Sequence, residues 1–413
     1  MMRCYKQKKN GDRMLKGPFI DAKEIINKIE KNGHQAYYVG GCVRDLLLQR
    51  PIGDIDIATS APPTKILEIF DHVIPVGMEH GTVIVRQKGV SYEVTTFRVE
   101  GNYSDHRHPD TVQFIDQIDK DLERRDFTIN ALAMNREGCI IDLFDGKADL
   151  YKKVIRTVGN GVERFYEDPL RIIRALRFSS QLGFQIETNT LTAMNQVKHQ
   201  ILTIAIERMT TEMSKLVQGK YVHHGFAYLQ KTKIYDYLPI LKKHPYIIDK
   251  ISTKIKPLGS LSELFALFYM IETSISISTW VKSWKCSNKV RREASHLVDA
   301  LKYYEKNGLN QWLVYQLPSE YHDGFVRLVN LVFENLSVSK TEVASYERTL
   351  PIRSKKELDI DGNDLVELFP HLNRGPWIQH KLQELEKEVV FGKLNNNRNL
   401  LKEWIKWNPP EIN

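Results

Sequence analysis

Asp54 and Asp56 stand one residue apart in Gly53-Asp54-Ile55-Asp56-Ile57-Ala58-Thr59, a run whose β-branched residues predict a strand over Asp54–Ala58. Side chains alternate faces along a strand, so the two carboxylates share one face while Ile55 and Ile57 turn to the core. Two anions so placed repel unless a cation lies between them. Mg²⁺ is the cation suited to them, since it binds through one or two carboxylates together with substrate phosphates. Metal held there can activate an attacking hydroxyl and stabilise the leaving oxygen of an in-line displacement. The D-x-D pattern alone also fits an acidic surface strand, so its surroundings matter. Upstream lies Tyr37-Tyr38-Val39-Gly40-Gly41-Cys42-Val43-Arg44-Asp45, which reads as strand, glycine pair and helix. Glycines there let backbone N–H groups approach phosphate oxygens closely. Gly41 and Arg44 are the phosphate-binding candidates, Arg44 through charge-assisted hydrogen bonds. The competing reading is a tight turn with a solvated arginine, but a glycine cradle running directly into an acidic strand is the more specific pattern. Glu93, in the strand Tyr92–Arg98, is a candidate third acid.

A second constellation is Glu163-Arg164-Phe165-Tyr166-Glu167-Asp168-Pro169-Leu170-Arg171-Ile172-Ile173-Arg174-Ala175-Leu176-Arg177-Phe178. Asp168 suits a helix N-cap and Pro169 a first turn. Arg171, Arg174 and Arg177 recur every third residue and form one basic stripe, which reads either as a solvated face or as a phosphate lining. Asp168 accepts hydrogen bonds and Arg171 donates them from a rigid fork. Cytosine and adenine each present an amino donor beside a ring-nitrogen acceptor, so this pair matches both. Uracil and guanine reverse that order, and each buried mismatch costs about 1–3 kcal/mol. Alternatively, Asp168 only caps the helix and Arg171 binds phosphate.

Elements must carry these residues. A helix is predicted over Ala22–Lys31, a strand at Ala36–Val39, a helix from near Val43, and another opened by Pro63. Thr82–Arg86 and Val90–Phe97 form a hairpin across Lys88-Gly89. From Leu170 onward the apolar period is almost wholly helical. The chain of 413 residues carries a net charge of +8, which suits a polyanionic partner and equally an ordinary basic protein. Cys4, Cys42, Cys139 and Cys286 form no C-x-x-C pair, so a zinc site or disulfide framework is not expected and a reducing cytoplasm fits. Met1 to Leu15 reads as a disordered basic tail without a secretory apolar region, and Met14 is an equally good start. No run approaches the roughly 18 apolar residues of a membrane span.

Gly40-Gly41-x-Val43-Arg44-Asp45 followed by Gly53-Asp54-x-Asp56 resembles the signature of class II tRNA nucleotidyltransferases and bacterial poly(A) polymerases, in the polymerase-β superfamily. The resemblance implies that Asp54 and Asp56 hold catalytic Mg²⁺. Glu123–Leu132 resembles the family's R-R-D-F-T-x-N-A block, which implies that Arg125 contacts the nucleotide while Asp126 and Asn130 shape the ribose side. Glu167-Asp168-x-x-Arg171 resembles the E-D-x-x-R motif to which base reading is assigned, and Arg174 and Arg177 extend the lining toward phosphates. Ile141–Gly146 resembles the turn out of the head, with Gly146 expected at positive φ. Glu100–Asp110, around Arg107, resembles the flexible loop of enzymes that add all of CCA. Glu357–Leu365 and Gly375–Ile378 resemble the tail of Gram-positive-type enzymes. The lone His322-Asp323 pair does not point to an added phosphohydrolase domain.

The implied fold is α+β: a polymerase-β-like nucleotidyltransferase head with a mixed sheet, then an elongated all-α neck, body and tail. The expected bounds are 1–15 for the tail before the head, 16–150 for the head, 151–216 for the neck, 217–330 for the body and 331–413 for the tail. The implied activity is CTP- and ATP-dependent nucleotide addition to the 3′ end of tRNA, gripped at acceptor and elbow, with a homodimer left open. A poly(A) polymerase or a partial CC- or A-adding enzyme shares these motifs. A non-catalytic RNA-binding module is the reading from another class, and the intact D-x-D argues against it.

Overall fold

A computed structural model describes Leu15 and residues 17–101, 111–251 and 254–410. Residues 102–110, most of the loop expected to bear on CCA specificity, lie outside the described residues, as does almost all of the expected N-terminal tail. The chain divides into two compact units, Met1–Pro257 and Leu258–Asn413.

The first unit opens with α1 (Pro18–Lys31), which starts earlier than the apolar period suggested because Pro18 takes its first turn. Phe19, Ala22, Ile25, Ile26 and Ile29 form its buried stripe. Next come β1 (Ala36–Val39), α2 (Gly41–Leu47), β2 (Asp56–Thr59), α3 (Pro63–Ile69) and β3 (Val73–Gly77). The hairpin β4 (Thr82–Gln87) and β5 (Val90–Thr96) follows, turning through Lys88 at φ 51° and Gly89 at φ 79°. β6 (Arg98–Glu100) and β7 (Val112–Phe114) pair as a separate antiparallel ribbon, and α4 (Ile118–Glu123) leads to β8 (Leu132–Met134) and β9 (Ile140–Asp142). Seven strands form one sheet in the order β3-β4-β5-β2-β1-β8-β9. Its one parallel contact joins β2 to β5; β1 runs antiparallel to β2 and β8.

Alternation along β1 assigns the two faces of the sheet. Tyr38 packs edge-on against Phe19 at 5.0 Å and donates its hydroxyl to the Phe19 carbonyl at 2.9 Å, so α1 covers that face. Val39 turns the other way, into a cluster with Ala58, Phe97, Ile118, Leu122 and Ala133 that brings α4 against the opposite face. The acidic strand thus lies at the centre of the sheet, with its neighbours paired on both sides.

Helices α5 (Gly146–Lys152), α6 (Gly161–Glu167), α7 (Leu170–Leu182), α8 (Thr188–Val197), α9 (Ile206–Val217), α10 (Val222–Thr232) and α11 (Tyr246–Ile251) complete the unit, with a short parallel pair Val154–Ile155 and Gln185–Ile186. α7 is buried along most of its length and packs against α9 and α10. The turn before α5 corrects one expectation. Asp145, not Gly146, adopts positive φ, at 58°. Gly146 is required for space instead, because a Cβ there would lie 2.3 Å from the Thr128 carbonyl oxygen.

The second unit is helical throughout its described residues, from α12 (Leu261–Ile271), α13 (Ile277–Ser283) and α14 (Asn288–Asn307) to the C-terminal helices. Trp280 and Trp284 are fully buried among Phe265 and Phe268, with Trp280 ring centroids 6.0 and 4.8 Å from those rings. A second cluster gathers Leu365, Leu385, Val389, Leu401 and Ile405. Among the described residues no helix is long and apolar enough to cross a membrane.

Candidate active site

Gly40 follows β1 at φ 70°, in the range of φ that favours glycine. A Cβ there would lie 2.9 Å from Arg125 Nη1, so close approach demands glycine as well. Gly41 then opens α2, and Arg44 follows one turn in. Its guanidinium is fixed on three sides: Nε and Nη2 donate to Asp45 at 3.0 and 2.9 Å, and Nη1 donates to Asn130 Oδ1 at 2.7 Å. It also lies 5.2 Å from the Phe178 ring centroid. Arg44 is therefore preset in orientation, not a solvated turn residue.

The acids differ from the predicted strand in one respect. β2 begins at Asp56, and Asp54 lies in the segment before it. β1 ends at Val39, so Asp54 lies beyond its last pairing with β2, Tyr38 opposite Ile57. The alternation nevertheless persists, with Ile55 and Ile57 both buried and Asp54 exposed. Register sets Glu93 of β5 directly beside Asp56. Burial, and then the charge of Glu93, push the Asp56 carboxyl up to about 6; Arg125 opposes this and Asp54 adds to it. Uncompensated negative charge at this point is what an oxygen-seeking cation would relieve. Among the described residues no three His, Cys, Asp or Glu side chains form a ready metal cage.

The base-reading candidates sit where α6 gives way to α7. Asp168 Oδ1 accepts the Leu170 N–H at 3.1 Å, so it does cap the helix entry, although α7 starts one residue later than predicted. Its Oδ2 accepts from Arg208 Nη2 at 2.8 Å. Arg171 Nη1 donates to Glu167 Oε2 at 2.7 Å and to the Arg164 carbonyl at 3.0 Å, while Nη2 donates to the Arg124 carbonyl at 3.0 Å. Asp168 and Arg171 are thus each held by other groups.

The arginine stripe is not a solvated face. Arg171 and Arg177 are buried, and Arg174 donates twice to Asp126 Oδ2, at 2.8 and 2.5 Å. Asp126 also accepts from Asn130 Nδ2 at 3.0 Å and from the Phe127 N–H at 2.8 Å. Burial alone would raise the Asp126 carboxyl, but the Arg174 charge and these bonds outweigh it and hold it at about 2. Arg177 Nε is 2.8 Å from Glu212 Oε2, yet neither atom has a well-aligned hydrogen-bond partner. Burial and then the neighbouring Arg174 lower Arg177 to about 10.

One cavity of about 530 Å³ in the first unit gathers these groups. Gly41, Arg44, Asp56 and Arg125 line it together with Asp168, Arg171, Arg174 and Arg177. Glu93 and Asn130 line it too, whereas Asp54 does not. The sequence reading missed Arg208 and Glu212, both on α9, and Phe178 as the ring on which Arg44, Arg174 and Arg177 converge, the last at 4.1 Å. The signal was the four-residue spacing from Arg208 to Glu212: three arginines on one buried face require acids opposite them.

An acidic central strand, a glycine turn and a cation-lined cavity beside it define a nucleotidyltransferase of the polymerase-β type. Residues 36–156 match the poly A polymerase head domain, 183–244 the probable RNA and SrmB-binding site of polymerase A, and 261–405 the putative domain 2 of tRNA nucleotidyltransferase. The CCA-adding enzyme of Oceanobacillus iheyensis is 48% identical over 401 residues, covering 97% of this chain and 100% of that one. A Bacillus cereus relative of the same name is 39% identical, covering 94% and 98%. The crystal structure of the Bacillus stearothermophilus CCA-adding enzyme in complex with CTP superposes with a TM-score of 0.85 at 35% identity, covering 95% of this chain and 98% of that one. The chain belongs to the family of CCA-adding enzymes.

Proposed function

We propose that this chain adds C, C and A to the 3′ end of tRNA from CTP and ATP, without a nucleic-acid template. The observation that carries the reading is that one cavity is lined both by the acid-bearing strand, through Asp56 and Glu93, and by the Asp168–Arg171 donor–acceptor pair. Transfer chemistry and a base-sized recognition edge therefore share a single space. The terminal RNA 3′-hydroxyl attacks the α-phosphate, a new phosphodiester forms, the α–β bond breaks and pyrophosphate leaves. Asp54 and Asp56, with Glu93 beside them, would hold Mg²⁺. When bound, that ion supplies activation of the hydroxyl and stabilisation of the leaving oxygen. Gly41 and Arg44 receive the triphosphate, Arg125 places the nucleotide, and Arg174 and Arg177 extend the cationic wall. Asp168 accepts from the amino group of cytosine or adenine, while Arg171 donates to the adjacent ring nitrogen.

The finer division into a head to about 150, a neck to 216, a body to 330 and a tail beyond it belongs to the same reading, with tRNA gripped by body and tail. The cytoplasm is the compartment in which such a chain meets its tRNA, CTP and ATP.

The test is to supply tRNA lacking its 3′ end with CTP, ATP or both, and to resolve the products at single-nucleotide length. CCA addition stops after three nucleotides and requires both substrates. An ATP-only ladder would instead mark a poly(A) polymerase, and arrest after CC or after A a partial enzyme.

A further inference from the structure

Asp121, on α4, is a fully buried carboxylate to which the transfer chemistry above gives no task. An anion so placed is retained only with cations upon it. Two converge. Oδ1 accepts from Arg124 Nε and Nη2, at 3.0 and 2.7 Å, and Oδ2 accepts from Arg125 Nη2 at 3.3 Å. Burial would raise the carboxyl, but the charges of Arg124 and then Arg125 outweigh it and hold it below the ordinary carboxylate range. Asp121 is therefore an anion at neutral pH, with each oxygen committed to a different arginine.

The two arginines lead to different functional groups of the nucleotide cavity. Arg125 runs across the glycine turn, where its Nη1 would lie 2.9 Å from a Cβ on Gly40, and its charge acts on Asp56. Its other hydrogen bond among the described residues is a long one, from Nη1 to the Asn130 carbonyl at 3.5 Å, and its Nε is buried with no acceptor. Asp121 is thus the carboxylate that fixes this guanidinium among the described residues. Arg124 contributes its backbone instead. Its carbonyl accepts from Arg171 Nη2 at 3.0 Å, the donor fork read as sensing the base. By drawing the Arg124 side chain back onto α4, Asp121 steadies the peptide against which Arg171 rests. Arg124, Arg125 and Arg171 all line the one cavity.

Resting on the reading that Arg125 places the nucleotide and Arg171 senses its base, we infer that Asp121 is a positioning residue for nucleotide binding. Through Arg125 it presets the cation that places the nucleotide, and through the Arg124 peptide it sets where Arg171 meets the base. A guanidinium oriented beforehand loses less freedom when its ligand arrives, so the benefit falls on nucleotide affinity. A carboxylate that served the fold alone would change the amount of active protein and leave KM as it was.

The experiment measures steady-state addition to tRNA lacking its 3′ end by the full-length protein, with CTP, ATP and UTP varied in turn. It compares wild type, Asp121→Asn, Arg125→Ala and the double variant. Asp121→Asn is expected to raise KM for CTP and ATP about 10-fold, with kcat per folded molecule within about threefold. Its preference for CTP over UTP narrows about three- to tenfold. Arg125→Ala raises KM at least as far, and adding Asp121→Asn to it raises KM by no more than about twofold, because the carboxylate acts through that arginine. Asp121→Glu keeps the buried charge but moves it by one methylene, and it shows the same KM signature in smaller measure where Asp121→Asn does not fold. Unfolding of both Asp121 variants, an unchanged KM in one that folds, or full additivity with Arg125→Ala overturns the inference. If Arg125→Ala itself leaves KM unchanged, the proposed role of Arg125 fails; if wild type extends no tRNA, the proposed function fails.

Discussion

Both oxygens of Asp168 are occupied, one by the entry of α7 and one by Arg208. A nucleobase amino group must therefore share the carboxylate with Arg208, which makes Arg208 a positioning residue for base choice. Asp168→Ala is expected to reduce the preference of CTP and ATP over UTP by about 10- to 100-fold, the equivalent of one or two buried mismatches. Single-nucleotide incorporation measures this, and an unchanged preference returns Asp168 to a capping role alone. Asp126 offers a test by pH. Its carboxyl titrates at about 2 in the fold against 3.8 in the open chain, so its stabilisation is complete above the higher value and lost as pH falls through the lower. The amount is on the order of 2 kcal/mol. Asp126→Asn should destabilise the protein by about 3–5 kcal/mol near neutrality, because Arg174 loses its nearest carboxylate and keeps only Glu212, at 3.8 Å. It should also flatten the denaturation curve between pH 4 and 2. Asp56→Asn has a different expected signature: transfer falls by at least about 10³-fold. In metal-free buffer the thermal midpoint should rise, because a half-buried anion beside Glu93 has been removed.

At the scale of elements, the glycine turn is the most sensitive joint. Gly40→Ala places a methyl at a φ that favours glycine and within 2.9 Å of Arg125 Nη1. It should cost about 1–3 kcal/mol in stability and raise the KM for both nucleotides, because Arg125 must move. Most of this joint was legible in the sequence, since Gly-Gly between a strand and a helix leaves few other geometries. The start of β2 was less legible. Nothing in the Asp54–Ala58 pattern records that β1 turns away at Gly40, so the loss of Asp54's pairing partner is a tertiary fact. The arginine stripe shows the same limit in reverse. Helical spacing put Arg171, Arg174 and Arg177 on one face, but only the arrival of α9 with Glu212 and of Asp126 makes that face an interior. The turn at Asp145-Gly146 was located correctly but explained wrongly, because close approach to Thr128 leaves no trace in local sequence.

Across the whole molecule, every residue of the nucleotide cavity belongs to the first unit. Nucleotide binding and stability of the second unit should therefore be separable. Trp280→Ala removes an indole that is fully buried against Phe265 and Phe268, and is expected to cost about 3–5 kcal/mol. Chemical denaturation reads this loss, while calorimetric titration with CTP should give an affinity within about twofold of wild type. A parallel loss of CTP affinity would show that the second unit supports the cavity after all. Composition had pointed to a basic protein without locating the excess. Five of the eight net positive charges come from residues 1–16, which hold six cations and one acid.

The three hydrogen bonds of Arg171, to Glu167 and to the carbonyls of Arg164 and Arg124, have a consequence for how such a chain can change over generations. The side chain proposed to sense the incoming base also ties α6 to the segment that follows α4. A substitution that altered nucleotide choice at this position would loosen the same joint, so the mutant would be both unselective and fragile. Drift toward a different product then has to begin elsewhere, at Arg208 or Glu167, where the partner can be altered while the tie persists.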